Sequence, residues 1–250
     1  MPTIANDAYN KYLENKGQSG YRAAILVSET GDVEGGYSLL VASETVPSIY
    51  GSNDSFEFDL MNSPTKGKIA GKMALDDKEV EVLHHRDNVY RFEKLKDTTL
   101  NFMVIDSQFV GYKFVGTISY RMNDASADVL RGTYTITPMS ADPIPVIDAR
   151  PYCKETLCFA SVIPDYIDAG KTINLSVVQN TVSTVVFEAF KIGNDFEETA
   201  DADAISTSTG ANGKTEYSFK APASGGLYGI RAKDSAENYA PWTTTVYVNA

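Results

Sequence analysis

The sequence predicts a mostly β fold in two units, and three observations carry that prediction. From residue 21 onward, short apolar or alternating runs recur between Gly, Ser, Asn and Asp clusters, the punctuation of strands and turns. The aromatic content is 15 Tyr and 11 Phe against one Trp, and these residues fit a half-buried pleated surface. Between residues 138 and 151 the chain reads PMSADPIPVIDARP, four prolines in 14 residues without periodicity, which marks a boundary between two units.

The elements follow in order. Asn6 to Lys16 carries Tyr9, Tyr12 and Leu13 at helical spacing, with Asn6 as N-cap and Gly17 as stop, and predicts a short amphipathic arm. Strands are expected at Ala23 to Val27, Tyr37 to Ala42, Phe56 to Leu60 and Val80 to Leu83. Asp87 is the expected N-cap of one helix, in which Val89, Phe92 and Leu95 form an apolar face lying across a sheet. Leu100 to Ile105, Tyr112 to Tyr120 and Val129 to Pro138 are the next strands. In the second of these, Lys113, Val115, Thr117, Ser119 and Arg121 share a mostly polar face, expected to meet water. Residues 146–152 are the expected linker. Beyond it, strands are expected at Cys158 to Ile163, Thr172 to Val178, Val185 to Phe190, Thr215 to Phe219, Leu227 to Ala232 and Thr243 to Val248, a spacing that suits a small immunoglobulin-like sandwich.

Charge narrows the function. With 33 acidic and 22 basic residues the formal charge is −11, which works against phosphate backbones and anionic lipid surfaces. There is no 18-residue apolar stretch, and MPTIANDAYNKYLENKG lacks a basic start followed by an apolar run, so synthesis and folding in the cytoplasm are expected. Cys153 and Cys158 are too few for a disulfide framework or a four-ligand zinc site; free thiols are expected, although their spacing permits a bridge.

No constellation of catalytic residues is visible, and no enzyme, metal or cofactor is expected. His84 and His85 are adjacent, and on a strand they point to opposite faces. Asp76-Asp77 and Glu197-Glu198 read as solvated loops, and Asp201 with Asp203 lacks the Gly and terminal Glu of a calcium loop. Gly35-Gly36 and Gly225-Gly226 stand at the mouths of strands, where a turn of positive φ explains them.

HRDNVYRFEKLKDTTLNFMVID, followed by GYKFVGTISYRMNDASADVLRGTYTITPMSA, resembles the major tail tube protein of long-tailed, non-contractile bacteriophages. So does VPSIYGSNDSFEFDLMNSPTKGKIAG, where that family often has Pro-Ser-aliphatic-x-Gly, a strand, and an Ile-x-Gly turn. The resemblance spans roughly residues 37 to 141. It implies a tail tube domain over residues 1–145, built from packed β-sheets with a flanking helix (Asp87, Val89, Phe92, Leu95). Six copies would form a ring around an acidic lumen, and stacked rings would pass DNA at ejection. The implied partners are the chain itself and other tail proteins such as the tape measure, tail terminator and baseplate, with DNA only in transit and no membrane insertion. The implied location is the virion tail, after synthesis in the host cytoplasm. Val46, Pro47, Ile49, Tyr50, Phe56, Phe58, Leu60 and Met61 would belong to a loop reaching the next ring, or else to an ordinary exposed hairpin. Tyr9, Tyr12 and Leu13 would pack on a neighbouring copy or on their own domain. The lumen residues are not identified.

GGLYGIRAKDSAENYAPWTTTVYVNA resembles the closing strands of bacterial and phage immunoglobulin-like modules. This implies that residues 153–250 decorate the outside of the tube, held away from the ring. Tyr228, Ile230 and Ala232 would face one side, Asp234 to Asn238 would turn the chain, and Trp242 would anchor core or edge. Two other classes compete: a virion or surface adhesin made of two β domains, and the inner-tube protein of a contractile tail.

Overall fold

The computed structural model describes residues 23–41, 47, 53–59, 66–73, 75–105, 109–123, 130–139, 143–179, 184–210 and 213–250, with 53–59 and 66–73 described as backbone. Tyr9, Tyr12 and Leu13, and Val46, Ile49, Tyr50, Leu60 and Met61, lie outside these residues. The described chain is mostly β, with one α-helix.

The first unit is built on a seven-stranded sheet. Its path is β2 (Ser38–Leu39), β1 (Ala24–Ser28), β6 (Leu100–Ile105), β7 (Gly111–Met122), β8 (Arg131–Pro138) and β5 (Lys78–Leu83), and β9 (Ile144–Val146) joins β7 beside the end of β8. All the described pairings in this sheet are antiparallel. β1 reads AILVS and is buried along its whole length, because both faces of the sheet are covered there. On one face Ile25, Val27, Phe102, Val104, Phe114, Val80 and Tyr134 form a core closed by the helix α1 (Arg86–Leu95) through Leu95 and Phe92. On the other face Ala24, Leu26, Met103 and Ile105 enter a larger core shared with the C-terminal unit. Two further strands, β3 (Asn53–Asp59) and β4 (Lys66–Met73), pair only with each other. Phe56 and Phe58 lie in β3, and the Ile69-Ala70-Gly71 stretch, expected as a turn, continues β4.

The C-terminal unit is a five-stranded sheet facing a three-stranded one. The first has the order β10 (Tyr166–Asp168), β17 (Trp242–Asn249), β16 (Gly226–Asp234), β12 (Val185–Ile192) and β13 (Glu198–Ala200); the second has the order β11 (Thr172–Leu175), β15 (Thr215–Lys220) and β14 (Ile205–Thr209). Phe187, Ala189, Tyr228, Ile230, Ala232 and Val246 from the larger sheet share a core with Leu175 and Phe219 from the smaller. Tyr228, Ile230 and Ala232 are thus buried on one side, and Trp242 is 7% exposed, an anchor in the shared core. The Asp234 carboxylate accepts the backbone N–H groups of Ala236 and Asn238, which fixes the turn after β16. Gly225 and Gly226, at φ 59 and 114, supply the turn before it.

Three expectations are corrected here. Cys158 to Ile163 is not a strand: it contributes a single bridge, Phe159 to Val177, and is held by the Gln179 side chain, which accepts from Cys158 N and donates to Thr156 O. Residues 146–152 do not hold the second unit away. Val146 pairs with Gly111, Ala149 is fully buried, and Tyr37 exchanges backbone bonds with Tyr152 O and Lys154 N. Lys113 does not meet water at its end of β7. It is 8% exposed, donates to both Asp32 carboxylate oxygens at 2.7 and 2.8 Å, and lies 4.3 Å from the Tyr152 ring centroid. Tyr152 comes from the connection, so the cover over Lys113 is tertiary. Cys153 and Cys158 are free and buried, and burial pushes both thiols up to about 12.

Candidate assembly interface and inter-unit junction

An exposed sheet edge presents unpaired N–H and C=O groups, so the state of each edge decides where another chain can add. The approach to β2 is covered within the chain: Gly35 N bonds Pro151 O, Tyr37 N bonds Tyr152 O, and Lys154 N bonds Tyr37 O. The β9 edge is blunted by Pro145, which has no N–H to offer.

β5 is different, because no described strand pairs with its outer side. His84 N donates to Leu130 O, in register with the β5–β8 ladder. Bonded positions alternate in an antiparallel pair, so Lys78, Val80 and Val82 bond to β8 while the backbone groups of Glu79, Glu81 and Leu83 point outward. Asn88 Nδ2 takes up Leu83 O at 2.7 Å. The stretch that remains for another strand centres on Glu79 and Glu81.

One face beside this edge is polar and open except at Thr133, which is buried. The registers align Glu79 with Thr135 and Ser119, and Glu81 with Thr133 and Arg121. Arg121 pairs with Glu79 at 3.1 Å, and Arg131 with Glu81 at 3.2 Å. The two glutamates are thereby matched by two arginines. The far half of the expected polar face of β7, Ser119 and Arg121, is exposed as anticipated.

α1 forms the second feature, because it is bonded to both units. His85, not Asp87, is its N-cap: His85 Nδ1 accepts from Asp87 N at 3.3 Å, and Nε2 then donates to Asp165 at 2.7 Å. Asp87 is 4% exposed and accepts Thr244 Oγ1 at 2.9 Å, with Thr245 N and Oγ1 both at 2.7 Å. A local cap was the natural reading of this residue, but β17 lies more than 150 positions away in sequence and offers three donors at once. Leu95 and Phe92 meet the first sheet as expected, whereas Val89 lines a surface groove. Tyr90, which no periodicity singled out, is buried against Phe190 and Ile192 of the second unit.

Around Tyr90 a polar network crosses the junction. Its hydroxyl donates to Glu198 at 2.5 Å and accepts from Arg231 at 3.0 Å; Lys94 also reaches Glu198, at 2.8 Å. Burial alone would raise the Glu198 carboxyl, but hydrogen bonds from Lys94 and Tyr90 and the charge of Arg231 outweigh it and hold the group at about 2. A folded pKa depressed from 4.5 means that this group stabilises the fold fully above the unfolded value and less as pH falls toward the folded one. Denaturant melts should therefore lose stability between about pH 4.5 and pH 2 through this group, by about 1 kcal/mol because water screens this exposed carboxylate. Glu198→Gln should remove that part of the dependence, and an unchanged pH profile in the variant would refute the assignment.

The arrangement binds two β units into one body and leaves the β5 edge of the first sheet without a described partner strand; among the described residues it contains no group of three His, Cys, Asp or Glu placed to hold a metal ion. No described helix is long and apolar enough to cross a membrane. No protein-family model matches this chain, and no curated protein sequence does.

Proposed function

We propose that this chain is a structural subunit of a bacteriophage tail tube, assembling with copies of itself into stacked hexameric rings through which DNA passes at ejection. The observation that carries the reading is the open β5 edge in a sheet whose β2 and β9 edges are covered or blunted. An unguarded edge is a hazard to a free monomer and an attachment point in an assembly. The separate β3–β4 ribbon supports the same reading, since two strands alone are marginal in water and gain stability from another surface.

In this reading the face carrying Glu79, Glu81, Ser119, Arg121 and Thr135 is the candidate lumen lining. Its glutamates are matched by arginines, so it presents hydroxyls and balanced charge to passing phosphates, and weak DNA adhesion follows from the absence of net positive charge. The C-terminal unit is read as an immunoglobulin-like module on the outside of the tube, fixed in orientation by Asp87 and the Tyr90 network.

The test is the mass of the purified chain and its negative-stain images over a concentration series. Rings or hollow filaments with outer knobs are the expected result, and a chain that stays monomeric across the series overturns the proposal.

A further inference from the structure

The C-terminal unit carries sheet edges of its own. β10 and β13 have three residues each, and residues 158–161 lie along the end of β11, where Ala160 N bonds Ser176 O and Val178 N bonds Cys158 O. β14 differs from these. It reads ISTST, pairs with β15 on one side in unbroken register, and no described strand pairs with its other side. Gly210 N bonds Lys214 O in register with that ladder, so Ser206 and Ser208 bond to β15 while the backbone groups of Ile205, Thr207 and Thr209 point outward. The Ile205 N–H turns back onto Ala202 O. The N–H and C=O groups of Thr207 and Thr209 and the Ile205 carbonyl remain available to another strand. Edges are ordinarily guarded by lysine, proline, a bulge or an inward-pointing charge, and β14 has none of these. Ser206, Thr207, Ser208 and Thr209 are all exposed, so both faces beside the edge are open.

An uncharged edge of this kind is complementary to a second copy of itself. Turned antiparallel about Thr207, two β14 strands overlap along their whole length: Thr207 faces Thr207, Ile205 faces Thr209, and Ser206 faces Ser208. Each copy then gives its Thr207 N–H to the other's Thr207 carbonyl and its Thr209 N–H to the other's Ile205 carbonyl, and the Ile205 N–H that already bonds Ala202 is not called on. Serine and threonine hydroxyls meet across the pair. Charge favours the same sense, in a chain whose formal charge of −11 otherwise sets copies against each other. Antiparallel pairing brings Asp201 and Asp203, before one end of β14, toward Lys214 of the other copy, beyond the opposite end; parallel pairing would set the aspartates side by side. We propose that β14 is a self-association edge, at which two copies join their three-stranded sheets into one continuous sheet. The proposal goes beyond the tube reading and does not rest on it, because it uses the smaller sheet of the C-terminal unit and leaves β5 untouched.

Thr207→Cys in the full chain reports the contact, since facing residues of a bonded antiparallel pair lie about 5.5 Å apart at Cα, within the span of a disulfide. Cys153 and Cys158 are buried and do not compete. Under mild oxidation Thr207→Cys should form disulfide-linked dimers about tenfold faster or more than Thr172→Cys, an exposed site on β11, because strand pairing raises the effective thiol concentration. Two changes added to the Thr207→Cys chain should bring its rate down to that of Thr172→Cys with urea melts unchanged. Thr209→Pro removes an outward N–H and no bond to β15; Ser206→Lys with Ser208→Lys sets like charges face to face and keeps every backbone donor. Trapping at position 207 should persist in a Glu81→Pro background, which blocks the β5 edge and so separates this contact from tube assembly. Equal rates at positions 207 and 172, trapping that survives both edge changes, or trapping lost with Glu81→Pro overturns the proposal.

Discussion

Replacing Glu81 by proline should leave the monomer folded and strongly weaken its assembly. The Glu81 N–H points away from β8, so the ring of proline meets no ladder bond within the chain, and an edge strand tolerates it there. The cost to the monomer is the exposed Arg131–Glu81 pair, worth less than about 1 kcal/mol. A neighbouring strand would lose a backbone hydrogen bond and meet the proline ring, raising the concentration needed for assembly by about a hundredfold, the equivalent of about 3 kcal/mol. Two controls separate the effects. Glu81→Ala removes the ion pair and keeps the N–H, so it should assemble; Val82→Pro removes a donor that β8 uses and should unfold the chain. Sedimentation and urea melts of the three variants read both quantities. Glu81→Pro filaments forming at the parental concentration would rule out β5 as the assembling edge.

Asp87→Ala should be the most destabilising single change at the junction, at about 3 kcal/mol or more, because it leaves the buried Thr245 N–H and two hydroxyls without their acceptor. Asp87→Asn keeps one acceptor oxygen and should cost roughly half of that. The local signature is amide hydrogen exchange at Thr245, which should speed up in both variants before the centre of the first sheet is affected. A urea midpoint for Asp87→Ala equal to that of the parent would show that the second unit docks by its apolar contacts alone.

The two results bear on different parts of the proposal. Loss of assembly with an intact monomer supports the β5 edge as the contact between copies. Loss of the junction with assembly retained would mark the C-terminal unit as a passenger on the tube.

Much of this architecture was legible in the chain itself. Short apolar or alternating runs located β5, β6, β7, β8, β12, β15, β16 and β17 to within a few residues, because such runs and the burial they predict are local properties of a strand. The 3.6-residue period located α1, and turn chemistry located the approaches to β16 and β17. Short strands without alternation were not legible: β9, β10 and β13 are three residues each and hold their conformation through a neighbour's ladder. The surface groove beside Val89 was equally hidden, since its lining comes from positions about 80 residues apart.

What the sequence alone determined is the β character, the order of the long strands, the apolar stripe of Phe92 and Leu95, and an acidic balance unsuited to phosphate binding. What only the tertiary structure decided is which groups lose water. Lys113 is buried because Tyr152 and Asp32 close over it; Asp87 serves β17 and not its own helix end; and β5 remains the open edge of the first sheet because residues 151–154 and Pro145 deal with that sheet's other edges. The physical reason is common to all of these: alternation and capping depend on the next few residues, whereas desolvation and edge pairing depend on whatever part of the chain arrives alongside.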